Sequence, residues 1–297
     1  MTAAQTSADN AAAAAKSRPA RRSTMLSRLL SDRVAIVAGL FVLLLLFVAV
    51  FGRYIYPVDP LAQNLTAILN PPGSAHPFGT DSLGRDLLAR MIAGVNVTLL
   101  AIATAVAVAL AVGLIPGLLA GFIGGWVDVV IMRMADMLVS FPPLLLAIAI
   151  VGIIGPGLGN AMIVMGVIMA PTMVRMVRSA VLTVRNEQYI HAAKLMGCSN
   201  WRILWRHVLP NIITTVLVIV NLLAANALLA EASLSFIGLG VVPPDASWGS
   251  LLQEGAQFIA FAPWQAIIPG LAITLTVLAL NLLADGLRRA ISGVSSR

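Results

Sequence analysis

Few residues in this chain could do chemistry, and their spacing excludes most of it. The three histidines, His76, His191 and His207, are scattered, and the single cysteine, Cys198, allows neither an internal disulfide nor a cysteine-rich metal site. No catalytic and no metal-ligating residue is expected. Lys16 and Lys194 are the only lysines, and each follows an alanine. A phosphate-binding GxxxxGK[ST] loop needs glycine before its lysine, so any ATP and Mg2+ used here must sit on partner subunits. Neither a G-x-S-x-G pattern nor a GxGD pattern is present, which argues against an intramembrane enzyme.

Three groups of polar residues remain. Glu231 stands at the end of an apolar run that also holds Asn221 and Asn226. An acid in such a run marks an ion or substrate path, or is wetted at the lipid headgroups. Asn226 lies about 140° round a helix from Asn221, so these translocation-path candidates do not form one stripe. The second group is Gly79-Thr80-Asp81 with Gly84-Arg85-Asp86. Asp81 and Arg85 are four apart with the acid first, the better order for a helical ion pair, and Thr80 or Asp81 could cap that turn. This stretch reads either as a structural elbow at the membrane surface or as a docking or gating element. The third group is the basic stretch from Glu187 to Pro210. There Glu187–Met196 predicts a short helix, Gly197 a left-handed residue after its end, Ser199 a cap for a second helix, and Pro210 the start of a long one. Ala192 and Ala193 keep the short helix low enough for close docking. A plain amphipathic interfacial helix is the alternative.

The elements that must position these groups are membrane spans. The 297 residues are 59% hydrophobic and 10% charged, with mean hydropathy +0.95. Soluble domains carry about 25% charged residues, so a soluble enzyme, a disordered regulator and a nucleic-acid-binding domain are all excluded. The expected fold is all-α and polytopic, with six transmembrane helices at about Val34–Phe51, Val95–Gly121, Met134–Ile154, Asn160–Met176, Asn211–Ala230 and Ala266–Ala284. The domain plan is an N-terminal tail (1–33), disordered over residues 1–24, a first, uncleaved span (34–52), an ordered extracytoplasmic loop (53–94), a main membrane domain (95–290) with an inner loop at 177–210, and a C-terminal tail (291–297). Of the 19 basic residues, all but Arg53, Arg85 and Arg90 fall on one side of this arrangement. By the positive-inside rule both termini are then cytoplasmic, and the basic face suits anionic inner-leaflet lipid. Small residues at Ala101, Ala105, Ala109, Gly113, Gly117, Gly121 and Gly125 recur every four positions and predict close helix packing, within the chain or against another chain.

The spacing of Ala192-Ala193, Gly197 and Leu209-Pro210 resembles the EAA motif (EAA-x3-G-x9-I-x-LP) of binding-protein-dependent ABC importer permeases. His191 stands where the motif has Glu, and His207 where it has Ile, which leaves shape rather than a carboxylate to do the docking. Three further stretches are similar to the C-type permease subunits of dipeptide and oligopeptide ABC importers: His76 to Asp86, Leu234 to Gly240, and Pro243-Pro244 through Ser247-Trp248-Gly249. So do Asp136 and Phe141-Pro142-Pro143. This resemblance implies a type I ABC importer transmembrane domain in a bacterial inner membrane. It implies a homologous B-type permease partner, two ATP-binding subunits and an extracytoplasmic substrate-binding protein, with a peptide as cargo. It assigns ATPase coupling to Glu187, His191, Ala192, Ala193, Gly197, Leu209 and Pro210, and docking or gating to Gly79, Thr80, Asp81, Gly84, Arg85 and Asp86. A nickel complex or glutathione is an alternative cargo, and a self-contained channel or secondary transporter is the alternative mechanism. The latter predicts two related halves with broken helices, and no such repeat is visible.

Overall fold

A first helix, α1 (Arg33–Ile55), opens on Asp32, whose carboxylate accepts from the amides of Val34 and Ala35. The structure, a computed structural model, describes residues 29–292; the tails expected before residue 29 and after residue 292 lie outside the described residues. After the loop 56–86 come α2 (Leu87–Ile123), α3 (Gly125–Val139), α4 (Pro143–Ile154) and α5 (Leu158–Arg185). Two short helices, α6 (Gln188–Leu195) and α7 (Asn200–Ile203), then lead through a π turn (Leu204–Val208) into α8 (Leu209–Phe236). The chain ends with α9 (Trp248–Ala256) and α10 (Trp264–Ser292). No strand occurs among the described residues, only an isolated bridge between Thr80 and Asp86.

Five helices are long and apolar enough to cross a membrane, and the α3–α4 pair makes a sixth if counted as one span. That pair corrects the continuous helix expected at Met134–Ile154. It bends by 84° around Phe141-Pro142, because Pro143 opens α4 and a proline there cannot extend the preceding helix. Other boundaries move as well. The second span begins at Leu87 rather than Val95, shortening the expected loop. The fourth runs on to Arg185, so the first part of the expected 177–210 loop is helix.

The small-residue stripe of α2 is used inside this chain. Cβ atoms added at Gly113, Gly117 and Gly121 would lie within 3 Å of Met173, Val177 and Val181 of α5, so the two helices interlock over about two turns. Gly125 falls outside the stripe, at the start of α3. α1 has little of its apolar surface buried and packs on α2 and α10. At its start Arg289 of α10 donates to Asp32 with Nη2 at 2.6 Å, and this guanidinium holds the Asp32 carboxyl below its ordinary value.

Candidate functional site

The segment joining α5 to α8 builds one compact unit. Glu187 is the N-cap residue of α6 but makes no side-chain cap bond. On α6, Ile190 and Ala193 are buried, while His191, Ala192, Leu195 and Met196 face outward. The two alanines therefore differ from the sequence expectation: Ala193 seats the helix on the bundle, and only Ala192 belongs to the outer surface. Met196 closes the helix, and Gly197 follows at φ +78°. The Gly197 amide donates to Lys194 and the Cys198 amide to Ala193, at 3.0 and 3.1 Å, the double bond of a Schellman closure. Ser199 then caps α7 through the Arg202 amide. Ile203, Leu204 and Val208 are buried, Leu209 is half-buried, and Pro210 sits in the first turn of α8.

Two contacts tie this unit to the end of α2. Arg185 donates to the carbonyls of Gly121 and Phe122 at 3.2 and 3.1 Å, satisfying acceptors that a helix end leaves open. Lys194 Nζ lies 5.5 Å from the centroid of the Phe122 ring, a cation–π contact.

At the other end of the bundle, the 79–86 stretch folds into a buried turn. The Asp81–Arg85 ion pair exists, with Nε to Oδ2 at 2.6 Å, but in a turn and not a helix. Asp81 Oδ1 accepts from the amides of Leu83 and Arg85, and Gly84 holds φ +70° with its Cβ position 1.8 Å from the Asn64 carbonyl oxygen. No helix fits that chain reversal. Asp81 thus caps this turn, as one of the two residues expected to, and α2 is capped separately by Asp86, which accepts from the Ala89 amide at 2.8 Å. Its other oxygen accepts from Tyr56 Oη at 3.0 Å and lies 2.8 Å from His76 Nδ1; burial, with this carboxylate, pushes the Tyr56 phenol up.

Thr80 is fully buried, bonded to Ala67 and Asn70, and its carbonyl accepts from Gln265 of α10. All six residues given a docking or gating role are buried, so their side chains present no surface to a partner. What they do is fix the loop on α2, α9 and α10. Two members of this cluster escaped the sequence reading. Arg90, 2% exposed, donates to Asp81 at 2.8 Å and to Glu254 of α9 at 2.5 Å, and Arg85 also reaches Glu254 at 3.4 Å. A lone arginine among Leu87, Met91 and Val95 was the available signal.

The path candidates separate. Glu231 is neither wetted nor lining an open space: it is fully buried, and Ser235 donates to its Oε1 at 2.7 Å. Ser247, the cap of α9, lies 3.4 Å beyond Ser235, and the next residue, Trp248, donates to Thr98 and Met91 of α2. Two separate sequence stretches, 231–240 and 243–249, thus meet at one joint between α8, α9 and α2. Asn221 donates to the Leu280 carbonyl and serves α8–α10 packing. Only Asn226 faces a cleft, with Thr172, Met165 and Leu144 opposite.

Comparison with known proteins agrees with this architecture. Residues 113–293 match the family described as binding-protein-dependent transport system inner membrane component, and residues 22–72 match the N-terminal TM domain of oligopeptide transport permease C. The chain is 43% identical over 267 residues to the glutathione transport system permease protein GsiD of Pectobacterium atrosepticum, covering 89% of this chain and 88% of that one. It is 42% identical over 263 residues to the protein of that name in Escherichia coli O157:H7, covering 88% and 86%. Among solved structures it resembles a chain of the MetNI methionine ABC transporter in inward-facing conformations, with TM-score 0.55 and 19% identity over 69% of this chain and 95% of the other. With a bundle of this fold, and sequence matches that span most of its length, the chain belongs to the binding-protein-dependent inner membrane components, the membrane permeases of ABC importers.

Proposed function

We propose that this chain is one of two permease subunits of an ATP-driven importer for small peptides, with glutathione, itself a peptide, the first cargo to test. The observation that supports this role best is the α6 unit. An eight-residue helix, seated on Ile190 and Ala193 and closed by Gly197, stands proud of the bundle with Ala192 and Met196 exposed. In this reading the unit faces the cytoplasm, both termini lie on the same side, and two ATP-binding subunits grip Glu187–Gly197 and the Leu209-Pro210 step. A second permease encloses the pathway, an extracytoplasmic binding protein delivers the cargo, and this chain hydrolyses nothing. The charge asymmetry supports that orientation, because the segment 171–210 alone carries six basic residues. The cargo class is taken from relatives named for glutathione transport.

The test is reconstitution. The chain, co-expressed with its companion subunits and purified, is expected to bring down an ATPase. In proteoliposomes it is expected to take up radiolabelled glutathione only with ATP and the binding protein. Uptake without ATP, or purification with no ATPase attached, would refute the importer role. ATP-dependent uptake of another solute, with peptides and glutathione excluded, would refute the cargo alone.

A further inference from the structure

A groove runs between α5 and α8 on one side of the bundle. It opens as two clefts, of about 360 and about 320 Å³. Ser179 and Thr215 line the first, toward the α6 end; Thr172 and Asn226 line the second, where α4 forms a further wall. Helix periodicity places both clefts on the same face. Thr172 and Ser179 are seven residues apart and Thr215 and Asn226 eleven, each within about 20° of whole turns at roughly 100° per residue. The eleven residues from Thr215 to Asn226 cover about 16 Å of helix.

Hydrogen bonding sets these four apart. Most polar side chains of the spanning helices are satisfied internally. Thr104, Thr183, Ser233, Thr274, Thr276 and Asn281, for example, each donate to the carbonyl four residues earlier. Thr172, Ser179, Thr215 and Asn226 make no side-chain hydrogen bond among the described residues, and of the other serine, threonine and asparagine side chains described in these helices only those of Asn96 and Thr214 share that state. Thr172, Ser179 and Asn226 are also exposed. An open amide and hydroxyls facing hydrocarbon along some 16 Å of span are unfavourable, so this face meets water, solute or polar protein. None of the residues lining either cleft is charged, and methionines 165, 169 and 176 supply flexible apolar surface between the polar groups.

We propose that the α5–α8 groove is this chain's wall of the translocation path, with Thr172, Ser179, Thr215 and Asn226 as successive hydrogen-bonding stations for uncharged groups such as peptide amides. This rests on the importer reading above. It replaces Glu231 and Asn221 as path residues, since Glu231 is fully buried and Asn221 is bonded to the Leu280 carbonyl.

Cysteine accessibility in the assembled complex tests it. In a Cys198→Ser background, single cysteines are placed at Thr172, Ser179, Thr215 and Asn226, with Leu43→Cys on the outward face of α1 as the lipid-facing control. Membrane vesicles are treated with a positively charged methanethiosulfonate reagent, with or without S-methylglutathione, a peptide that carries no competing thiol. Modification at the four positions is expected at least tenfold faster than at Leu43→Cys, slowed at least threefold by S-methylglutathione. Rates no faster than the control at all four positions overturn the proposal, because lipid or a dry partner helix then covers the groove. Fast modification without protection, in vesicles that also fail to import S-methylglutathione, upholds the wall and refutes the peptide cargo. A position whose cysteine prevents co-purification of the companion subunits is replaced by Asn211→Cys, which lies on the same face.

Discussion

Gly197 separates backbone shape from surface contact in the proposed coupling unit. It sits at φ +78°, and a Cβ there would meet nothing within 4 Å, so a side chain costs backbone conformation and nothing else. The left-handed conformation costs a residue other than glycine roughly 1–2 kcal/mol, with asparagine the most tolerant. That lowers the ratio of closed to frayed α6 turn about 5- to 30-fold for Gly197→Ala and further for Gly197→Val. The bundle itself is untouched, because the substituted position contacts no other element. The assay is ATP hydrolysis by the purified complex, with and without binding protein and cargo, alongside thermal unfolding of the same samples. Stimulation is expected to fall in the order Gly, Asn, Ala, Val, with the unfolding midpoint unchanged. Wild-type stimulation in Gly197→Val would refute the reasoning. A loss in Gly197→Asn as deep as in Gly197→Val would refute the backbone account and point to side-chain contact with a neighbour.

Three further perturbations probe the remaining supports. Gly84→Ala places a Cβ 1.8 Å from the Asn64 carbonyl oxygen at a positive φ, so the protein should fall below about a tenth of its normal level in membranes. Gly73→Ala, whose nearest neighbour is 3.9 Å away, should accumulate normally, and equal levels of the two on an immunoblot would count against the turn. Arg90→Met strands Asp81, itself 2% exposed, with Arg85 as its remaining cation, and removing one partner of a buried ion pair costs about 3–5 kcal/mol. A denaturant midpoint equal to wild type would rule that cluster out as a stabilising unit. Asp32 is held below its ordinary value by Arg289, so its contribution is complete above the unfolded carboxylate pKa of about 3.9 and disappears as pH falls through the lowered folded value. The stability gap between wild type and Asp32→Asn should therefore close toward acid pH, and a gap constant from pH 7 to pH 3 would contradict the ion pair's role.

Local chemistry was legible in the sequence wherever one residue decides the outcome. Gly197, Ser199 and Pro210 take the positions their types dictate, because a left-handed residue, a cap and a first-turn proline answer to backbone geometry alone. The Asp81–Arg85 pair was found for a partly wrong reason. Two charges four apart attract in a helix, but Gly84 between them lets the chain reverse, and the same pair closes a turn instead. What could not be read was which partner each polar group finds across the fold. Glu231 meets Ser235 one turn on in the same helix, but it lies near Ser247 only because the 237–247 connection doubles back over α8, and hydropathy carries no record of that reversal. Asn221 and Asn226 are five apart on one helix, yet one is spent on the Leu280 carbonyl and the other faces a cleft. That difference depends on where α10 lies. The continuous span expected at Met134–Ile154 failed for a simpler reason, since the apolar average ignores the two prolines that break it.

The contacts of α6 also determine how displacement at that helix would spread. Ile190 and Ala193 rest on the bundle, and Lys194 and Arg185 grip the last turn of α2 through the Phe122 ring and the Gly121 and Phe122 carbonyls. From there α2 cannot slide past α5, because Gly113, Gly117 and Gly121 leave room for backbone and β-carbons but for no shift of a ridge over its neighbour. The far end of α2 is held as firmly, by Asp86 at its cap and by Arg90 to Asp81 and Glu254. A displacement entering at α6 would therefore carry α2, α5 and the 79–86 turn as one lever to the opposite surface. The α3–α4 pair is joined to that lever more loosely. Its polar ties are Arg178 to Asp128, at 2.5 and 2.6 Å and partly buried, and the exposed Arg175–Asp136 contact at 2.8 Å. Exposed pairs of the second kind contribute about 1 kcal/mol or less, and the bend at Phe141-Pro142 lacks a continuous helical ladder. A rigid lever beside a bent, lightly tethered pair places the yielding element at α4, which is also the outer wall of the cleft at Asn226. Displacement entering at α6 would thus change the width of the proposed path at that wall while the interlocked helices keep their spacing.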